Sequence, residues 1–137
     1  MIGLAAGAYE KCLGYVLERK QFGKKLAGFQ IIQEKLSRML GQIEMMLAMV
    51  VIMSQNYDNN VYRSNGQISR LKAMSSKMAR EVIQTARECM GGNGILAENR
   101  VMKHLIDIEA MSTGEGTYDI NMLVSGREIT GGINAFI

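Results

Sequence analysis

Three short stretches carry residue types from which chemistry could be built. In GEGT, residues 114–117, a lone carboxylate, Glu115, stands between two glycines ahead of a helix-forming run, YDINMLVSGREIT. An acid there can stabilise the helix N-terminus while Thr117 caps it. It can also act as a base if held away from water. Local physics favours the structural use. In GGNG, residues 91–94, clustered glycines could let backbone approach a phosphate, but a helix-forming segment precedes them where a dinucleotide fold needs a strand. A helix C-terminus is the simpler reading. In RKQFG, residues 19–23, the cations suit the end of a helix and Phe22 is expected to fold back on the core; Arg19 could also grip a phosphate in fork geometry.

Other candidates are weaker. His104 is the only histidine and lacks clustered acids or cysteines, so no metal site is expected, and it reads as a partly buried or surface residue. Cys12 and Cys89 lie far apart in sequence and read as small apolar packing residues of a reducing compartment. Tyr9, Tyr15, Tyr57 and Tyr62 read as packing residues.

The elements that must position these residues are helices. The chain has 137 residues, 47% hydrophobic and 21% charged, which suits one domain with a single core. Proline is absent and methionine numbers twelve, favouring uninterrupted helices with adaptable cores. Residues 2–20 place Leu4, Ala8, Cys12, Tyr15 and Val16 near one stripe, and QFGKKLAGFQ, residues 21–30, reads as loop. Residues 29–57 repeat Ile32, Leu36, Met39, Ile43, Met46, Val50 and Met53 at helical spacing. A polar link over 58–66 follows, then a helix over 67–90 with Leu71, Met74, Met78, Val82, Ala86 and Cys89 on one face. A shorter helix is predicted over 99–108, and a last one from Thr117 to Gly131 and Gly132. No segment alternates as a strand, so the prediction is an all-α, up-and-down four-helix bundle.

The net charge of +3 is mild and its basic residues are interleaved with acids, as in Glu18-Arg19-Lys20, so nucleic-acid binding is not expected. No apolar run reads as a membrane span and no signal-peptide layout is present. A soluble intracellular protein is the expectation.

Taken in order, ERKQFGKKLAGFQ, RECMGGNGI and EGTYDIN followed by LVSGREITG resemble the C-terminal helical domain of the acyl-CoA dehydrogenase and acyl-CoA oxidase flavoproteins. The resemblance spans essentially the whole chain. Its tail is most similar to glutaryl-CoA dehydrogenases and plant short-chain acyl-CoA oxidases. It implies FAD as cofactor, a short acyl-CoA as substrate and α,β-desaturation to a trans-2-enoyl-CoA, with a hydride leaving the β carbon for the flavin. It implies Glu115 as the base that removes the α proton, and a carboxylate taken out of water becomes a better base. Backbone N–H groups of the same turn would polarise the thioester carbonyl. For the flavin it implicates Arg19, Lys20 and Gln21 near the pyrophosphate and Phe29 and Gln30 near the adenosine half. Glu88, Cys89, Met90, Gly91 and Gly92 would form a wall, with Thr117, Tyr118 and Asp119 beside the base. Gly116 would touch substrate. Some of these contacts would reach the flavin of a neighbouring subunit, so a homodimer or homotetramer is expected, with an electron-transfer flavoprotein as a possible partner.

Two departures from the family pattern stand out. Gly114 occupies a position where an aromatic residue, usually tyrosine, packs against the thioester, and Glu88 replaces a glutamine common in the dehydrogenases. The N-terminal helical and middle β domains of the family are absent from residues 1–137, and the opening helix starts without a capping residue. The expectation is therefore a fragment that alone binds FAD weakly or not at all and turns over no acyl-CoA. Its location by family would be mitochondrial or peroxisomal in a eukaryote and cytoplasmic otherwise, and Ala135-Phe136-Ile137 is not a usual peroxisomal address. The rival expectation is a non-catalytic helical oligomerisation module.

Overall fold

The computed structural model describes residues 1–61 and 64–132. Tyr62 and the closing Ala135-Phe136-Ile137 lie outside the described residues. Five α-helices dominate: α1 (Ile2–Glu18), α2 (Gln30–Asp58), α3 (Asn65–Cys89), α4 (Val101–Thr113) and α5 (Tyr118–Ile129). The expected all-α bundle is observed, with α3 at its centre in contact with each of the other four.

Small residues set the helix spacing. Ala5, Ala8 and Cys12 of α1 face Ala79, Val82, Ile83 and Ala86 of α3, and all are sealed from solvent. Such short side chains let two helices approach closely. Met39, Ile43 and Met46 of α2 fill the adjoining space, and Val101 and Ile108 of α4 close it. Burying a methionine or isoleucine fully contributes about 1.5–3 kcal/mol, so Met39, Met46, Ile83 and Ile108 are principal stabilising residues. The predicted α3 stripe holds from Val82 onward, but Met74 lies on the outside, 41% exposed.

Several local expectations need correction. The stretch after α1 is not simply loop: β1 (Lys20–Gln21) pairs antiparallel with β2 (Lys24–Lys25). Phe22 and Gly23 form its turn with φ of 53° and 80°, the doubly positive geometry that matches strand twist in a two-residue hairpin. That turn throws Phe22 outward, 89% exposed, rather than onto the core; its ring meets Phe29 edge-on at 6.2 Å. Helix α4 runs five residues past the expected end, because Glu109, Ala110 and Met111 continue the helix after the last buried apolar residue, Ile108. Tyr57 is 49% exposed.

Helix α3 starts two residues early because Ser64 accepts a hydrogen bond from Gln67 N at 3.0 Å. The carboxylate of Glu128, on α5, binds Ser64 Oγ and accepts from Gly66 N at 2.8 Å. These hydrogen bonds, Ser64 first, hold the Glu128 carboxyl below the usual glutamate range.

Helix α5 docks on α3 through polar groups, since its buried residues are Asn121 and Ser125. Arg70 donates to Ser125 Oγ at 2.5 Å. Its apolar residues Ile120, Leu123 and Ile129 face outward. The expectation that no run could span a membrane also needs correction: α2 is long and apolar enough by length and composition alone. Its charges cluster near the N-terminal end, leaving Met45 to Met53 nearly uninterrupted. Met39, Ile43, Met46 and Met53 of the same helix are buried, although only 22% of its most apolar window is covered by the rest of the chain.

Candidate functional site

Two clefts gather most of the predicted residues, one at each end of the C-terminal half of α3. The first, about 400 Å³, is walled by Arg19, Gln21, Glu88, Cys89, Met90, Gly91 and Gly92, with Asn93 and Tyr15 beside them. The hairpin brings Arg19 and Gln21 there, because Leu26 N bonds back to Arg19 O at 2.9 Å. The end of α3 supplies the rest. Gly91 ends the helix with a φ of +56°, which glycine adopts without steric cost. Gly94 is fixed for another reason: a Cβ there would stand 2.4 Å from Arg87 O.

Polar groups in this cleft are partly spoken for. Glu88 pairs with Lys35 at 3.5 Å, and Asn93 donates to Tyr15 Oη at 2.7 Å. Arg19 is exposed and has no ion-pair partner among the described residues. Cys89, which lines this cleft, is buried and interacts with the buried Cys12. Their mutual interaction raises the Cys12 thiol and lowers that of Cys89. Lys20, Phe29 and Gln30 do not line this cleft. Lys24 Nζ instead sits 4.1 Å over the Phe29 ring, a cation–π contact.

The second cleft, about 390 Å³, is lined by Thr117, Tyr118 and Asp119 together with Ser76, Lys77 and Arg80 of α3. Thr117 caps α5 as expected, accepting from Ile120 N at 3.5 Å. Glu115 and Gly116 form the turn just before this cleft without lining it. Glu115 is exposed, and no side chain among the described residues bonds its carboxyl group. Its backbone is unusual: φ is +57°, the left-handed region, and Gly116 follows at +94°. A non-glycine residue there carries strain on the order of 1–3 kcal/mol. Gly114, by contrast, has φ −60° and ψ 145°, open to any residue.

What holds this turn was not legible in the sequence. The buried side-chain amide of Asn121 donates to Gly116 O at 2.8 Å, Thr117 O at 3.0 Å and Glu115 O at 3.4 Å. Lys72, from α3, donates to Ser112 O at 3.0 Å and to Gly116 O. A Cβ on Gly116 would come within 2.9 Å of the Asn121 amide, so glycine is required by contact as well as by φ. His104 is half-buried on α4, with Nε2 positioned 3.3 Å from where a Cβ on Gly7 would lie.

Comparison with known proteins places this geometry in context. Residues 1–130 match the family model described as acyl-CoA dehydrogenase, C-terminal domain. The chain is 34% identical over 128 residues to a probable acyl-CoA dehydrogenase, YngJ, of Bacillus subtilis (strain 168), covering 93% of this chain and 33% of that protein. It superposes on glutaryl-CoA dehydrogenase from Mycobacterium smegmatis with a TM-score of 0.93 at 31% identity, covering 99% of this chain and 35% of the other. A structure of a glutaryl-CoA dehydrogenase from the same organism in complex with FADH2 gives 0.92 at 29% identity, with the same coverage. The chain thus spans about a third of the length of the relatives it matches.

Proposed function

The chain belongs to the acyl-CoA dehydrogenase family, as its C-terminal domain, and from that premise we propose that it contributes the base and part of the flavin site for α,β-desaturation of a short acyl-CoA. The observation that carries this reading is the turn at Glu115. It is a strained, left-handed glutamate held beside a cleft by two side chains that bond the backbone carbonyls of the turn. A glutamate serving only to start α5 would not need that conformation, since Thr117 already caps the helix.

The first cleft fits a flavin dinucleotide by the chemistry of its donors. Arg19 offers a guanidinium free to pair with a phosphate. Gly91 and Gly92 leave open space where side chains would otherwise stand, so a ligand can approach the backbone. Arg19, Gln21 and the 88–92 wall would hold the phosphate-bearing half, with Lys20, Phe29 and Gln30 on its rim. Bound FAD would supply the two-electron acceptor for the hydrogen leaving the β carbon.

The rest falls to the chain's own residues. Glu115 takes the α proton, so that the C–H bond pair moves into the Cα–Cβ double bond as hydrogen departs from Cβ. Thr117, Tyr118 and Asp119 line the adjacent cleft, and Gly116 lets substrate approach the turn. Glu115 is exposed in the isolated chain, and the remaining two thirds of a family enzyme would cover it and exclude water. Electrons would pass from the flavin to an electron-transfer flavoprotein or to oxygen. The test joins this chain to the remaining segment of the M. smegmatis glutaryl-CoA dehydrogenase. Flavin absorbance and enoyl-CoA formation are expected, with activity lost in Glu115→Gln. Full activity in that variant would refute the base assignment.

A second reading is favoured by the outward apolar residues of α2 and α5, including Leu47, Ile52, Ile120 and Leu123: a helical assembly module without catalysis. Apolar faces of this kind are buried by association. In both readings the chain forms a dimer or tetramer, and a monomer at micromolar concentration by light scattering would count against both. Flavin bound by the joined protein without any turnover would favour the module.

A further inference from the structure

We propose that Lys72 is a positioning residue for the base turn, acting with Asn121 to hold Glu115 in its left-handed conformation; this rests on the reading of Glu115 as the base. Lys72 is half-buried on α3 and has no ion pair among the described residues. Its ammonium instead joins two carbonyls from different elements. Ser112 O belongs to the last turn of α4, where carbonyls lack intrahelical partners. Gly116 O belongs to the turn itself. A cation at a helix C-terminus is ordinary helix capping; the second bond, four residues on, ties that helix end to the turn.

Asn121 holds the same turn from α5. Its side-chain amide has two hydrogens shared among the carbonyls of Glu115, Gly116 and Thr117. Gly116 O therefore receives both side chains, directly after the strained residue. An unconstrained glutamate would leave the left-handed region, and such strain persists only where surroundings over-determine it. Direction follows from peptide planarity. A trans peptide sets N–H opposite C=O, so drawing these three carbonyls toward Lys72 and Asn121 turns the Gly116, Thr117 and Tyr118 N–H groups the other way. The amides of Gly116 and Thr117 have no acceptor among the described residues. The clamp thus sets both the carboxylate's anchor and the donors beside it.

The experiment compares Lys72→Met, Lys72→Arg and Asn121→Ala with the unaltered chain. Backbone order parameters at residues 115–117, measured by 15N relaxation on the 137-residue chain, are expected near 0.85 in the parent and below about 0.6 in Lys72→Met. In the joined protein, Lys72→Met is expected to lower kcat by about ten- to a hundredfold with KM changed less than about threefold, since positioning acts on the reacting geometry. Lys72→Arg should recover part of both. A structural lysine alone would lower stability without this split. If Lys72→Met fails to fold, Asn121→Ala carries the same expectation. Unchanged order parameters in both variants, or a disordered turn with unchanged kcat, would overturn the proposal. Activity surviving Glu115→Gln would instead remove the base assignment, and the order parameters would still decide whether Lys72 orders the turn.

Discussion

Replacing Glu115 by glycine should make the chain more stable while removing the group proposed to do the chemistry. The left-handed region costs an L-residue roughly 1–2 kcal/mol relative to its preferred conformation, and Glu115 sits there at a φ of +57°. Glycine avoids that cost, but its unfolded chain gains freedom that offsets roughly 0.5–1 kcal/mol. No bond to the Glu115 side chain is lost, because none is made among the described residues. The net expectation is a gain of about 0.8 kcal/mol. With an unfolding entropy of roughly 2.1 cal/mol/K per residue over 137 residues, that corresponds to a rise in Tm of about 3 °C. Glu115→Gln keeps the Cβ and the strain, so its stability should stay within about 0.3 kcal/mol of the parent. Paired urea and thermal unfolding curves measure both variants. A Glu115→Gly protein no more stable than Glu115→Gln would refute the claim that this turn is held against its own preference.

Other expectations follow from single contacts. Gly94→Ala places a Cβ 2.4 Å from Arg87 O, and backbone cannot yield cheaply, so a loss of about 2–3 kcal/mol is expected in urea unfolding; a loss under 0.5 would contradict it. Glu128 has its carboxyl pKa lowered by Ser64 and Gly66, so its contribution is present above the ordinary value of 4.5 and is lost as pH falls through the lower folded value. Glu128→Gln should flatten the acid limb of the stability–pH curve below about 4.5, and an unchanged limb would show the contact to be idle. Gly114→Tyr should fold at least as well as the parent, because φ −60° suits any residue and a Cβ would meet Ala110 O at an ordinary 3.5 Å. In the joined protein it should lower KM for a short acyl-CoA, and a raised KM would argue that this glycine makes room for the substrate.

The helical architecture was legible because apolar spacing, glycine stops and Thr117 are local signals. Ile32 to Met53 announced α2, and Gly91 ended α3 where left-handed backbone was needed. Phe22 was misjudged because the doubly positive turn that expels it depends on pairing between Lys20 and Lys25. Helix α4 was cut short because its last turn buries little, and helix formers without a stripe leave no periodic mark. The wall of the first cleft was readable only as a family motif, since it takes the hairpin to bring Arg19 to the same cleft as Glu88. Ser64 followed by Gln67 three residues later was a start signal present in the sequence. Lys72 and Asn121 gave none: their partners are backbone carbonyls, and no residue type reveals that in advance.

Helix α3 also acts as a gauge. Lys72 and Glu88 stand sixteen positions apart on one unbroken helix, a spacing of about 24 Å at 1.5 Å per residue. A small molecule lodged beside either cannot touch the other; only an elongated molecule or two separate ones could engage both ends. Inserting one residue between them would lengthen that span little but swing one end by about 100° around the axis relative to the other. The two clefts are therefore kept in register by helix phase.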